Sequence, residues 1–209
     1  MTEQIAFAVA AIGALGFGIG VVFFKDAFRA AVSLIGTLLA RALDLLPPDA
    51  AEAMAIASSE QAPTCLRVNT LKTTVEELQK DLAASGVLTK KETTLPEELT
   101  VVSGDNLTKS KRFQQGHFIV QDPASMLPAL LLEPQPGDRV LDCCAAPGGK
   151  TTHLAQRAND AARIVAMDSS RWRIEKVVEN AERLGVDVTC VVGDGTRPPL
   201  AGQFERVLV

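Results

Sequence analysis

The stretch Asp138–Thr151 reads Asp-Arg-Val-Leu-Asp-Cys-Cys-Ala-Ala-Pro-Gly-Gly-Lys-Thr, and its interpretation decides the fold. Val140 and Leu141 belong to an apolar strand, Ala145–Gly149 to a turn of small residues, and Lys150 marks the start of a helix. That succession makes a cradle for a negatively charged or nucleotide-like ligand. Glycine lets a ligand approach the backbone, and the helix end offers unpaired N–H groups with a partial positive charge.

Three nucleotide ligands compete for the cradle. A phosphate-binding loop needs Gly-x-x-x-x-Gly-Lys-Ser/Thr. Gly149-Lys150-Thr151 ends that pattern, but Cys144 stands where its first glycine belongs. A dinucleotide site wants Gly-x-Gly-x-x-Gly, whereas this turn has only the adjacent pair Gly148-Gly149. The third candidate is S-adenosylmethionine. A second strand, Arg163–Met167, ends at Asp168, and a third, Val188–Val192, runs into Gly193-Asp194-Gly195. Asp168 lies about 20 residues past the glycines, where a carboxylate can take both ribose hydroxyls. Carboxylates after both strands suit a neutral adenosine and repel a polyphosphate. S-adenosylmethionine therefore leads.

Cys144-Ala145-Ala146-Pro147-Gly148-Gly149-Lys150 is preceded by Val-Gln-Asp-Pro-Ala-Ser (Val120–Ser125) and by Leu-Arg-Val-Asn-Thr-Leu-Lys (Leu66–Lys72). With these motifs in this order, the region from Asp49 to Val209 strongly resembles the Sun/Fmu-type RNA (cytosine-5) methyltransferases. The resemblance implies that Cys144–Lys150 shape the pocket around the methionine end of S-adenosylmethionine. Asp168 would take the ribose and Asp194 the adenine edge, with Asp122 and Ser125 beside the methyl-donor pocket. It also implies an RNA partner, ribosomal RNA first among them.

The chain has 209 residues and a formal net charge of −4, which exclude a globally basic nucleic-acid binder but not a local RNA surface. Four cysteines, Cys65, Cys143, Cys144 and Cys190, form no metal-type Cys-x-x-Cys pair, so no metal is expected. They read as reduced cytoplasmic thiols packed as small apolar residues. Mean hydropathy is +0.16, and the excess lies at the amino end. Ile5–Phe24 carries no charge and has the length of a membrane helix, with Gly16-x-x-x-Gly20 at helix-association spacing. Lys25 and Arg29 follow it, so the remainder is expected on the cytoplasmic face. A buried helix of a soluble domain is the alternative. Met1–Ala40 also resembles the amino-terminal membrane helix of subunit J of the NADH:quinone oxidoreductases.

Leu45-Leu46-Pro47-Pro48-Asp49 marks the first boundary. The expected organisation is an apolar helical segment over 1–48, an RNA-recognition-like α+β subdomain over 49–120, and a SAM-binding domain over 121–209. Ala50–Ser59 reads as a short helix and Cys65–Leu71 as a strand. Thr73 with Glu76 predicts a capping box on a helix that ends before Gly86. Val87 onward, Leu99–Val102 and His117–Val120 are further strands. Lys109, Lys111 and Arg112 are the candidate RNA-phosphate contacts. His117 reads as a packed strand residue.

Asp122-Pro123 starts a helix with Met126, Leu127, Leu130 and Leu131 facing the core and Pro128 kinking or shortening it. His153 is expected on an exposed helix face and Trp172 in packing. Helix Arg171–Leu184 ends at Gly185. Phe204–Val209 is a fourth strand, so the fold expected is α/β, the first half of a doubly wound sheet in the order 3-2-1-4. In the family, a cysteine thiolate adds to C6 of cytosine so that C5 can attack the methyl group, and a second cysteine assists its release. Those cysteines belong after the fourth and fifth strands, so the nucleophile is expected beyond Val209. A chain ending there would be inactive alone; the alternative is a non-catalytic, membrane-anchored module that binds S-adenosylmethionine or RNA.

Overall fold

Two four-stranded sheets organise the described residues. The structure, a computed structural model, describes residues 62–92 and 95–209 together with Pro47, Asp49, Ala50, Glu52, Ala53 and Ile56. The expectations for Ile5–Phe24 and for Met1–Ala40 lie outside the described residues. Among the described residues no helix is long and apolar enough to cross a membrane.

The first sheet takes its strands from β1 (Cys65–Val68), β2 (Leu88–Lys91), β3 (Glu98–Ser103) and β4 (Phe118–Val120). They lie antiparallel in the order β2-β3-β1-β4, with α1 (Val75–Ala84) and α2 (Lys111–Gln114) as connections. This is the βαββαβ pattern of a ferredoxin-like fold. Leu66 and Val68 of β1, Leu99, Phe118, and Val75, Leu78 and Leu82 of α1 form its core. Each side chain fully enclosed there contributes roughly 1.5–3 kcal/mol.

The capping box of α1 sits one residue later than the spacing of Thr73 and Glu76 predicts. Thr74 Oγ1 accepts from the Glu77 amide at 3.2 Å, and Glu77 Oε2 accepts from the Thr74 amide at 3.1 Å. The doublets Thr73-Thr74 and Glu76-Glu77 allow either register. The Thr73 amide is already used, donating to the Asn69 carbonyl at 3.2 Å.

The second sheet is wholly parallel, in the order β7-β6-β5-β8. Its strands are β5 (Arg139–Asp142), β6 (Arg163–Asp168), β7 (Val188–Val192) and β8 (Arg206–Leu208). Numbered within the sheet, this is 3-2-1-4, as expected. Three helices flank it: α3 (Pro123–Leu132), α4 (Gly149–Arg157) and α5 (Arg171–Leu184). One face packs Val140 and Ile164 against Ala129, Leu154 and Ala155; the other packs Ala145 and Ala166 against Ile174 and Val177. Helices on both faces are what a parallel sheet requires.

Helix α3 begins as expected, with Asp122 accepting from the Ala124 amide at 2.8 Å and Pro123 in the first turn. It continues past Pro128 to Leu132, because the carbonyl that proline leaves unbonded belongs to the exposed Ala124. Its inward side is Met126 and Ala129. Leu127 and Leu131 point outward, with Leu131 82% exposed, so the expected core stripe is corrected for these two residues.

Candidate functional site

The turn between β5 and α4 is held from three sides. Asp142, buried at the end of β5, accepts from Thr151 Oγ1 at 2.7 Å and from the Cys144 amide at 3.3 Å. Burial pushes its carboxyl above the ordinary range, against the opposing pull of the Thr151 hydroxyl. The Ala145 amide donates to the Met167 carbonyl at 3.0 Å, tying the turn to β6. Gly148 has φ +103°, and a Cβ there would stand 3.2 Å from Val177 Cα of α5. The first intrahelical donor is Thr152, to the Gly148 carbonyl at 2.9 Å. The amides of Gly149, Lys150 and Thr151 therefore precede the ladder and have no intrahelical acceptor.

Two clefts adjoin at this turn and share Cys144. The larger, about 450 Å³, is lined by Cys143, Cys144, Asp168, Ser169, Arg173, Asp194 and neighbouring backbone. The smaller, about 260 Å³, is lined by Ala145, Ala146, Pro147, Gly149 and Lys150 on one side and by Ile119–Asp122 and Ser125 on the other. Thus the carboxylates Asp168 and Asp194 come together in one cleft, and the glycine turn, Lys150, Asp122 and Ser125 in the next. Gly148 lines neither and sets the start of the helix.

Asp168 is only 3% exposed. Its Oδ1 accepts from the Ser170 amide at 3.1 Å, and its Oδ2 lies 3.4 Å from the Arg173 guanidinium. Asp194 accepts from both the amide and the hydroxyl of Thr196 at 2.8 Å, and these bonds hold its carboxyl below the ordinary range. Gly193 permits this loop to fold back, since a Cβ there would lie 2.6 Å from Pro199 Cδ.

Lys109, Lys111 and Arg112 sit apart from both clefts, on the turn Leu107–Lys109 and on α2. Arg112 is engaged with Asp81 at 2.6 Å, which leaves Lys109 and Lys111 as the cations of that group without an ion pair among the described residues.

Several residues at this site were not expected to matter. Helix α4 lies between the two sheets, so Thr152, His153 and Gln156, a polar face in the sequence, are buried against β1 and the loop before β3. His153 is corrected from exposed to fully enclosed. Its Nε2 is 2.7 Å from Glu97 Oε1, and Arg157 approaches the same oxygen at 3.6 Å. Burial lowers the His153 pKa to about 4 despite the Glu97 carboxylate, so the ring is neutral and donates from Nε2. A neutral ring donating there leaves only a lone pair at the unpartnered Nδ1. Burial pushes the Glu97 carboxyl up, but His153 and Arg157 pull it down further, below its ordinary value.

The Leu66–Lys72 motif is a clamp. Asn69 Nδ2 donates to the carbonyls of Gly116 and Leu184, each at 2.8 Å. Lys72 Nζ donates to those of Gln115 and Arg183, each at 2.9 Å. These are carbonyls at the ends of α2 and α5, where a helix carries partial negative charge. Arg67, 1% exposed, points the other way, toward α4. The side-chain spacing of two along β1 separates these roles from Leu66 and Val68, which face the core.

Two further expectations are corrected. Trp172 is 66% exposed rather than packed, and Cys144 is exposed while the other three cysteines are buried or half-buried. His117 is half-buried just before β4, its Nδ1 without a partner.

A parallel sheet of this order, with a glycine turn after its first strand and carboxylates after its next two, defines a Rossmann-like nucleoside-binding domain of the methyltransferase class. A structural neighbour described as a methyltransferase homolog protein from Pyrococcus horikoshii superposes with a TM-score of 0.69 at 34% identity, covering 76% of this chain and 52% of its own. The 16S rRNA methyltransferase RsmB/F domain matches residues 129–209, and the ferredoxin-like domain of the same RsmF/B-like proteins matches residues 37–107. The chain belongs to this family, in agreement with the Sun/Fmu resemblance of its motifs. A Vibrio cholerae protein named ribosomal RNA small subunit methyltransferase B is 35% identical over 73% of this chain and 36% of its own length. A human protein named 28S rRNA (cytosine(4447)-C(5))-methyltransferase is 36% identical over 82% of this chain and 22% of its own. The chain thus spans about a third and about a fifth of these two relatives.

Proposed function

We propose that this chain is the cofactor-binding part of a SAM-dependent RNA (cytosine-5) methyltransferase that acts on ribosomal RNA in the cytoplasm. The observation that carries the reading is the pairing of two unlike clefts across Cys144. The larger offers the carboxylates of Asp168 and Asp194, which suit the neutral hydroxyls and amine edge of adenosine and oppose phosphate. The smaller offers helix-end amides and Lys150, which suit the carboxylate of an amino acid. A molecule with adenosine at one end and an amino acid at the other matches that division; a dinucleotide or a nucleoside triphosphate does not.

When bound, S-adenosylmethionine supplies an electrophilic methyl group. Asp168 accepts from the ribose hydroxyls, and the Ser170 amide keeps its carboxylate oriented. Asp194, fixed by Thr196, faces the adenine edge. Cys144–Pro147, Gly149 and Lys150 enclose the methionine end, Gly148 setting the start of the helix, with Asp122 and Ser125 across the smaller cleft. Lys109 and Lys111 contact RNA phosphate. None of Cys65, Cys143, Cys144 and Cys190 stands after the fourth or fifth strand of the parallel sheet, where the family's cysteines belong, so none is assigned as nucleophile; burial also raises the thiols of Cys65, Cys143 and Cys190.

Isothermal titration with S-adenosylmethionine tests the assignment. Asp168→Ala should weaken binding about tenfold or more, the cost of removing a charged acceptor. Unchanged affinity would remove Asp168 from the site, and absence of binding by the wild-type chain would refute the cofactor. Transfer of label to ribosomal RNA separates an enzyme from a module that only binds.

A further inference from the structure

Arg67 reaches from the first sheet into the turn of the second. Its Nη1 donates to the Gly149 carbonyl and to Gln121 Oε1, and its Nη2 donates to Thr152 Oγ1 at 2.9 Å. The Thr152 hydroxyl passes the contact on, donating to the Gly148 carbonyl at 2.7 Å. Gln121 in turn donates to the Ser125 carbonyl at 2.8 Å and lines the smaller cleft.

The arrangement is costly. The guanidinium is enclosed, its three acceptors are neutral, and its Nε has no partner. It also sits at the positive end of α4. Buried charges of this sort are often replaced by apolar groups without loss of stability, so stability alone gives no account of it. The peptide bond supplies one. A peptide unit is planar, so holding the carbonyl of Gly148 fixes the direction of the Gly149 N–H, and holding that of Gly149 fixes the Lys150 N–H. Those two are among the three amides left free at the start of the helix.

We propose that Arg67 is the positioning residue of the cofactor turn: it fixes the Gly148 and Gly149 carbonyls so that the Gly149 and Lys150 amides are aimed at the ligand before it arrives. The inference rests on the S-adenosylmethionine reading of the clefts. It makes a strand of the ferredoxin-like subdomain part of the cofactor site, without touching the ligand.

The test compares Arg67→Met, Arg67→Lys and Thr152→Val with His153→Ala, which damages the same contact between sheets but leaves the turn carbonyls alone. Titration with S-adenosylmethionine is run well below each variant's melting temperature, and amide exchange is followed at Gly149 and Lys150. Arg67→Met should raise Kd about tenfold, with faster exchange at both amides, as expected when a bond from a charged donor is lost. Arg67→Lys should recover part of the affinity, and His153→Ala should lower the melting temperature while leaving Kd unchanged. If Arg67→Met does not fold, Thr152→Val, which removes the hydroxyl's bonds to the Gly148 and Gly149 carbonyls and one acceptor of Arg67 while leaving the guanidinium in place, should still raise Kd and speed exchange at Gly149 and Lys150. Wild-type binding with equal Kd in the folded Arg67 and Thr152 variants would overturn the positioning role alone. Failure of the wild-type chain to bind would overturn the cofactor reading, and this role with it.

Discussion

Acidification should destabilise the contact between the two sheets through His153. The ring is neutral in the folded chain with a pKa of about 4, against 6.5 for a free imidazole. As pH falls below 6.5 the unfolded chain binds a proton that the folded chain refuses, so stability declines with pH until both forms are protonated near pH 4. Integrating that difference gives a loss of about 2 kcal/mol between pH 7 and pH 5, and about 3 kcal/mol by pH 4. Glu97, whose carboxyl is held below its ordinary range, adds its own loss only at the acid end of this window. Urea unfolding at pH 7 and pH 5 measures the difference, with His153→Gln as reference because an amide can still donate to Glu97 but does not titrate. The wild-type chain should lose about 2 kcal/mol more than the variant over this interval. Parallel losses, or an NMR titration placing His153 near 6.5, would refute the neutral buried ring.

Gly116→Ala should destabilise by about 2–4 kcal/mol in urea unfolding, combining a left-handed backbone with a backbone collision. The site has φ +74°, and a Cβ there would fall 1.8 Å from the Arg183 carbonyl oxygen. Lys109→Ala with Lys111→Ala should weaken binding to ribosomal RNA and reduce the salt dependence by about one counterion per lysine, read from filter binding over a salt series. Arg112→Ala should change that slope less, because its guanidinium is held by Asp81 at 2.6 Å.

The parallel sheet was legible because its signals are local. Val140-Leu141 before the glycines, Asp168 and Asp194 after their strands, and Gly185 closing a helix each report on a few neighbouring residues. The polar contact between the sheets was not. Thr152, His153 and Gln156 form a polar stripe, which on a single helix reads as a solvated face. Only the arrival of β1 and Glu97, far off in sequence, turns that stripe inward. Leu127 and Leu131 fail in the opposite direction: apolar residues at helical spacing read as core, yet the buried side of α3 is Met126 and Ala129, with Ala129 packed on Leu154 and Ala155 of α4. Thr73 and Thr74 show a third limit, since doubled residues leave the register of a cap undetermined until Val75, Leu78 and Leu82 are seen to face the first sheet.

The Leu66–Lys72 motif shows why a recognisable stretch need not be a ligand site. Three of its side chains act on backbone carbonyls, and a fourth residue offers its own carbonyl. Val68 accepts from Gln156 Nε2 at 3.0 Å, Asn69 and Lys72 hold carbonyls at the ends of α2 and α5, and Arg67 holds the Gly149 carbonyl directly and that of Gly148 through Thr152. Helix α5 follows Asp168, and α4 follows the glycine turn, so one short segment of the ferredoxin-like subdomain grips both helices that border the clefts. The buried part of this network, Arg67 and Asn69, fixes geometry because a rearrangement there would leave further donors without a partner. The requirement for Arg, Asn and Lys at these positions thus follows from the carbonyls they must reach.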